Sequence, residues 1–108
     1  MRRGLTTAAL LAVLSTPAVA FKGKCLLEVN NTPYVLGPCD VEINKDGPTI
    51  VTGPRGKYFA YVFPDGDKAE ASWNGLLKGA THAHSPLGTL TKSGACWINE
   101  TAKICAWR

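Results

Sequence analysis

The sequence predicts an all-β domain, a small antiparallel sandwich or a partly open barrel stapled by two local disulfides. Three observations lead to this prediction. Short runs rich in β-branched and aromatic residues alternate with turns, eleven Gly and seven Pro are spread through the 108 residues, and the four Cys lie as two close pairs. No segment has helical apolar spacing, since the nearest candidate, residues 73–80, contains Gly75 and Gly79.

The first twenty residues are predicted to be a secretory signal peptide. Arg2 and Arg3 form its basic start, residues 8–14 its apolar core, and residues 18–20 (Ala-Val-Ala) a small-x-small cleavage site. The core is too short to span a bilayer, and a retained amphipathic anchor is the alternative. We therefore expect one domain, residues 21–108, that is periplasmic or secreted and has no transmembrane segment.

The first Cys pair brackets a predicted hairpin. Residues 26–29 and 34–36 are strands around an Asn-Asn-Thr-Pro turn at 30–33, which brings Cys25 opposite Cys39. Four Cys can pair in three ways, and local pairing is favoured because each pair brackets a hairpin. A zinc site or a redox pair is the alternative, but neither pair has C-x-x-C spacing and export opposes both.

The middle of the chain reads as strands and turns. Residues 40–43 and 49–52 are short strand candidates, and the strongest hairpin joins residues 57–63 to 68–73 through a Pro-Asp-Gly-Asp turn. Centring that turn predicts three core-facing pairs: Tyr58–Trp73, Ala60–Ala71 and Val62–Ala69.

The last Cys pair brackets a short terminal hairpin. Residues 99–102 turn the chain, so that Cys96 faces Cys105 and Ile98 faces Lys103. Directly opposed residues of antiparallel strands satisfy disulfide geometry. We therefore expect a second local disulfide, Cys96–Cys105.

The outward face of the central hairpin is the predicted binding surface. Phe59, Tyr61 and Phe63 alternate along this face, opposite Glu70 and Ser72. A strand that exposes a line of rings is an interaction surface for protein or for sugar.

His82 and His84 provide an alternative hypothesis, a metal site. On a strand both imidazoles would point to one face and could hold one ion, with Asp65, Asp67 or Glu70 as a further ligand. The competing interpretation is a polar segment whose imidazoles form local hydrogen bonds. Because two ligands do not make a site, no metal and no other cofactor is assigned.

Catalysis and nucleic-acid binding receive little support. The chain has no G-x-S-x-G turn and its Cys are expected to be oxidised, so neither a serine nor a thiol nucleophile is indicated. Twelve Lys and Arg stand against eight Asp and Glu, and Arg2 and Arg3 belong to the leader. No basic cluster remains for nucleic acid, and we expect a protein that is not an enzyme.

A family resemblance rests on five segments: Cys25-Leu-Leu-Glu-Val, Tyr58-Phe-Ala-Tyr-Val, His82-Ala-His84, Gly94-Ala-Cys-Trp-Ile-Asn and Ile104-Cys-Ala-Trp107. In these segments the chain resembles small secreted proteins of Gram-negative bacteria, especially alphaproteobacteria, to which no activity is attached. In size, export and stapled β architecture it is also similar to periplasmic lysozyme inhibitors, although no inhibitory residue is carried over. Together these observations predict a non-catalytic binding protein of the periplasm, of an inhibitor, immunity or envelope-associated kind. Its partner would be a protein or a cell-envelope component.

Overall fold

The computed structural model describes residues 18–76 and 82–108, so residues 1–17 of the predicted leader and 77–80 of the helix candidate lie outside the described residues. Eight strands are present: β1 (Ala18–Val29), β2 (Thr32–Asn44), β3 (Thr49–Thr52), β4 (Phe59–Asp65), β5 (Lys68–Trp73), β6 (Ser85–Ser93), β7 (Cys96–Ile98) and β8 (Ala102–Trp107). Helix within the described residues is limited to a 3-10 turn at Pro54–Gly56. The predicted all-β class is confirmed.

The sheet closes on itself as an antiparallel barrel. Each strand pairs with the next, and β8 returns to β1 along a seam from Lys24–Trp107 to Val29–Ala102. Gly23 allows the end of this seam to close, because a Cβ there would overlap the backbone carbonyl of Trp107. The ring of strands is thus closed, so no strand has a free edge along its whole length, as the edge strands of a sandwich or a partly open barrel have.

Alternating side chains fill the barrel. Cys25, Leu27 and Val29 are buried on β1, whereas the residues between them are more exposed. The inward face predicted for the central hairpin is confirmed. The buried cluster consists of Cys25, Leu27, Val29, Val35, Cys39, Val41, Val51, Ala60, Val62, Ala69, Ala71, Trp73, Leu87, Leu90, Ala102 and Ile104.

Three rings close one end of the barrel. The ring centroid of Tyr34 lies 4.8 Å from that of Trp73 and 5.2 Å from that of Tyr58, and those of Tyr58 and Trp73 are 6.2 Å apart. Tilted and edge-on contacts at such distances are favourable for aromatic pairs. The assignment of Tyr58 and Trp73 to the core is therefore confirmed.

The Cys25–Cys39 disulfide is present, with its Cα atoms 5.8 Å apart, but the two residues are not directly opposed. Cys25 pairs with Gly37, so the bond runs diagonally across β1 and β2. The predicted opposition is wrong by two residues, and two features set the actual register. The turn is formed by Asn30 and Asn31 alone, both with positive φ, and a bulge between Leu27 and Glu28 then shifts the register by one residue. The predicted strand at 40–43 is the continuation of β2.

The second disulfide has the predicted register. Cys96 pairs directly with Cys105 at a Cα distance of 4.0 Å, and Ile98 pairs with Lys103. The side chain of Asn99 holds the turn between β7 and β8, since its Oδ1 accepts two backbone hydrogen bonds of 2.8 and 2.7 Å. Both local disulfides are therefore confirmed.

The central hairpin has the predicted faces but a different register. Ala60 pairs with Trp73, and Val62 pairs with Ala71. The predicted pairs are wrong by two residues because residues 66–67 alone form the turn, and its first residue is a Gly with a φ of 67°. A shift by two keeps every side chain on its original face, so the outward residues remain those that the sequence predicts.

Candidate functional site

The predicted binding residues of β4 lie in a line on the outside of the barrel. Phe59, Tyr61 and Phe63 are successive outward positions, because the alternate residues Ala60 and Val62 are buried. The ring centroids of Phe59 and Tyr61 are 6.2 Å apart, and those of Tyr61 and Phe63 are 6.4 Å apart. We call these three residues the ring row. Phe63 is 47% exposed and the other two rings are half-buried, so the ring row presents apolar surface to solvent.

Neighbouring strands frame the ring row with residues of different chemistry. Glu70 on β5 pairs with Phe63, and Ile50 on β3 pairs with Tyr61. The hydroxyl of Thr89 on β6 donates a hydrogen bond to the Glu70 carboxylate. The predicted surface residues are thus brought together, with an oriented carboxylate at one side and an aliphatic side chain at the other.

Asn74 fixes the start of the ring row, and sequence reasoning missed it. Its side chain is 5% exposed; Nδ2 donates to the Lys57 carbonyl at 2.8 Å, and Oδ1 accepts from the Phe59 N–H at 3.0 Å. Its own N–H donates to the Phe59 carbonyl at 3.2 Å, which continues the β4–β5 ladder past the last strand pair. In the sequence, an Asn directly after a strand indicates only a turn. The two hydrogen-bond partners of Asn74 lie 15 and 17 residues away, so no local pattern points to them.

A groove of about 360 Å³ lies beside the ring row on the outer face of β1–β3. Its lining includes Ile50 and Thr52, together with the ion pair between Lys22 Nζ and Asp40 Oδ1 at 2.6 Å. These two side chains are 88% and 58% exposed, so the pair adds less than about 1 kcal/mol to stability. The groove nevertheless adds both charges to the surface that includes the ring row.

The two His residues lie next to each other, in the irregular segment before β6 rather than on a strand. The rings of His82 and His84 are exposed and stacked, with centroids 5.1 Å apart and planes at 13°. Among residues 18–76 and 82–108, no group of three or more His, Cys, Asp or Glu side chains is placed to hold a metal ion. The candidate third ligands, Asp65, Asp67 and Glu70, therefore do not complete a site with the His pair in this structure.

The turn between β6 and β7 consists of Gly94 and Ala95 alone, because Ser93 still pairs with Cys96 where the two strands meet. Gly94 has a φ of 61°, a conformation that glycine adopts readily.

The chain matches no protein-family model, no curated protein and no solved structure. Within the part of the chain that the structure describes, we find no helix with the length and apolar character needed to cross a membrane. All four Cys are bonded in disulfides, so no thiol is free for chemistry. Function must therefore be argued from the barrel's own surfaces.

Proposed function

We propose that the protein is an exported binding protein without catalytic activity, and that the ring row with Glu70 is its binding surface. The observation that carries this proposal is the set of three rings on successive outward positions of β4, spaced 6.2 and 6.4 Å apart. A closed barrel holds these rings in place before any partner arrives, so binding needs little ordering of side chains. Aromatic residues are also enriched at protein interfaces, where each ring buries a large area.

The geometry of the rings favours a protein partner over a sugar. The planes of Phe59 and Tyr61 are inclined by 54°, and those of Tyr61 and Phe63 by 44°. Rings at such angles leave gaps that accept apolar side chains and do not form one flat platform on which sugar faces can stack. The charged groove beside them supplies polar contacts of both signs, as the rim of a protein interface does.

Export belongs to the same proposal and is supported by the leader pattern and by the two disulfides, which persist in oxidising compartments. β1 begins at Ala18, inside the predicted cleavage site. Cleavage after Ala20 would remove three β1–β2 pairs and leave Phe21 opposite Val41 as the first pair. The β1–β8 seam begins at Lys24, so the barrel would remain closed.

The test is capture of a partner from a periplasmic extract, followed by affinity measurement with the purified partner and with lysozyme as a first purified probe. Phe59→Ala and Tyr61→Ala should each weaken binding by about tenfold or more, because rings at the centre of an interface carry most of its energy. Trp107→Ala is the matched control. Trp107 is 45% exposed, close to the 47% of Phe63, but it lies on β8, four strands around the barrel from β4.

Three outcomes are informative. Weaker partner binding by the ring-row variants, together with unchanged binding by Trp107→Ala, would support the proposed surface. Capture that survives both ring-row variants would show that the partner binds elsewhere. Competition by soluble envelope saccharides, without any protein recovered, would replace the protein partner with a cell-envelope component.

A further inference from the structure

A cavity of about 160 Å³ lies inside the barrel, at the end opposite the Tyr34–Tyr58–Trp73 cluster. Its apolar wall consists mainly of Val41, Val51, Val62, Trp97, Ile104 and Ala106. These residues come from strands β2, β3, β4, β7 and β8, so only closure of the sheet brings them together. An eight-stranded barrel is just wide enough either to be filled by side chains or to hold one small ligand. In this barrel, the rings of Tyr34, Tyr58 and Trp73 fill one end, and the other end contains the cavity.

Two cations lie against aromatic rings of the cavity lining, and one of them, Lys92, belongs to the lining itself. Lys92 Nζ is 5.0 Å from the centroid of the Trp97 ring, and Arg108 Cζ is 4.1 Å from that of the Phe21 ring. Cation–π contacts of this kind hold the charges in position while leaving their hydrogen-bond donors free. The lining contains two polar side chains, Lys92 and the uncharged Thr49.

Neither cation forms an ion pair with a carboxylate of the described residues. The backbone N–H of Lys92 donates to the carbonyl of Asp67, in the turn between β4 and β5, at 2.8 Å. Across residues 18–76 and 82–108, the ion pair present is Lys22–Asp40 on the outer face, and it involves neither cation. An anion at this end of the barrel would therefore meet two positive charges.

The volume limits the size of the ligand. A dry apolar cavity of about 150 Å³ is large enough to bind benzene. A cavity of 160 Å³ therefore holds one six-membered ring or a branched chain of similar size. A larger body would project from the barrel.

We infer that this end of the barrel binds a small organic carboxylate whose apolar body is about the size of one benzene ring. The apolar body occupies the cavity, and the carboxylate lies at the rim with Lys92 and Arg108. This site lies inside the barrel and does not depend on the ring row. The same chemistry occurs in a free acid and at the C-terminus of a peptide that ends in Phe.

The probe is phenylacetate, titrated into the isotope-labelled protein and followed by the backbone and indole N–H resonances. Benzylamine has the same ring and the opposite charge, and acetate has the charge without the ring. We expect saturable shifts at Trp97, Val62 and Ile104 with phenylacetate and none with the other two compounds. N-acetylphenylalanine represents the peptide source, and tighter binding than phenylacetate would assign the site to a peptide end.

Two kinds of variant test the two halves of the site. Lys92→Gln should weaken phenylacetate about three- to fivefold, the size of a partly exposed charge contact. Lys103→Gln makes the same change on an exposed residue of β8 that does not line the cavity and should have no effect. Ala106→Leu fills the cavity and should abolish binding; Thr49→Leu fills it from β3 in case the first variant does not fold.

The inference is overturned by any of three results. Phenylacetate could give no saturable shift at the cavity in the millimolar range. Benzylamine could bind equally well, which would remove the role of the cations. A folded cavity-filling variant could bind phenylacetate as tightly as the natural chain.

Discussion

Replacing Asn74 by Ala should lower the free energy of unfolding by about 2–3 kcal/mol. The side chain makes two hydrogen bonds, to the Lys57 carbonyl at 2.8 Å and from the Phe59 N–H at 3.0 Å. Each is worth about 1 kcal/mol net, and a buried group left without a partner adds about 1 kcal/mol or more. Because Asn74 is only 5% exposed, water replaces the lost amide poorly.

Asn74→Asp separates the two hydrogen bonds. The oxygen that accepts from the Phe59 N–H is kept, but at neutral pH a carboxylate oxygen replaces the donor to the Lys57 carbonyl. Burial and the facing carbonyl raise the pKa of the introduced carboxyl above its unfolded value, so the folded state binds the proton more tightly. Stability relative to the natural chain should therefore improve as the pH falls and the restored O–H can donate.

The assay is urea unfolding followed by Trp fluorescence at neutral and acid pH, with both disulfides intact. Asn44→Ala is the control: its amide donates to the Pro48 carbonyl at 2.8 Å and to Glu42 Oε2 at 3.0 Å in a more exposed setting, so it should cost less than about 1 kcal/mol. The reasoning is refuted if Asn74→Ala costs no more than Asn44→Ala. It is equally refuted if the cost of Asn74→Asp is the same at both pH values.

Three further predictions concern the frame and the His pair. Replacing Cys25 and Cys39 together by Ala should lower the free energy of unfolding by about 3 kcal/mol, measured by urea unfolding. The disulfide closes a loop across 14 residues of sequence separation, and without it the unfolded chain gains that conformational entropy. A loss below about 1 kcal/mol would contradict this. Gly23→Val should cost about 1–3 kcal/mol through overlap with the backbone at the seam, whereas Gly47→Ala, whose Cβ would lie 3.4 Å from its nearest neighbour, should be tolerated. Protein purified without a His tag should contain no stoichiometric metal, and stoichiometric zinc lost on replacing His82 and His84 by Ala would instead establish the metal hypothesis.

Side-chain alternation predicts the faces of the strands but not their partners. Ala60, Val62 and Ala71 alternate clearly, and their burial follows from the sequence. Register depends on the length of the turn, and a Gly or Asn that adopts positive φ shortens a turn to two residues. The short turn accounts for the register of the central hairpin and, together with the bulge between Leu27 and Glu28, for that of β1 and β2. Both errors leave the predicted faces intact because each shift is by two.

β6 shows why one strand was missed. It opens on Ser85-Pro86, and its two buried residues, Leu87 and Leu90, are three positions apart. The bulge opposite Ala71 and Ser72 accommodates this odd spacing. Period-two alternation, the main signal for a strand, is therefore broken within the strand itself.

The ring row was predictable because its three residues lie on one strand, whereas the rest of the candidate sites was not. The hydrogen bonds of Asn74 join residues 15 and 17 positions apart, and the wall of the 160 Å³ cavity comes from five strands. Such arrangements depend on closure of the barrel, and closure depends on contacts that no local pattern records. Gly23 is the clearest case. A glycine is needed there because a Cβ would overlap the Trp107 carbonyl, which is 84 residues further along the chain.

Closure also decides how this protein can bind a partner. A strand can be added only at a free edge, and the ladders leave stretches of edge such as residues 18–23 of β1 on the β8 side and 32–39 of β2 on the β3 side. Cleavage after Ala20 would shorten the first of these to three residues and free Glu42–Asn44 on the β1 side of β2. The ring row lies away from these edges, on a strand that pairs with β3 on one side and β5 on the other, so recognition there passes through side chains. Substitutions of the rings by Ala are therefore a sharper test of binding than Pro substitutions at strand edges.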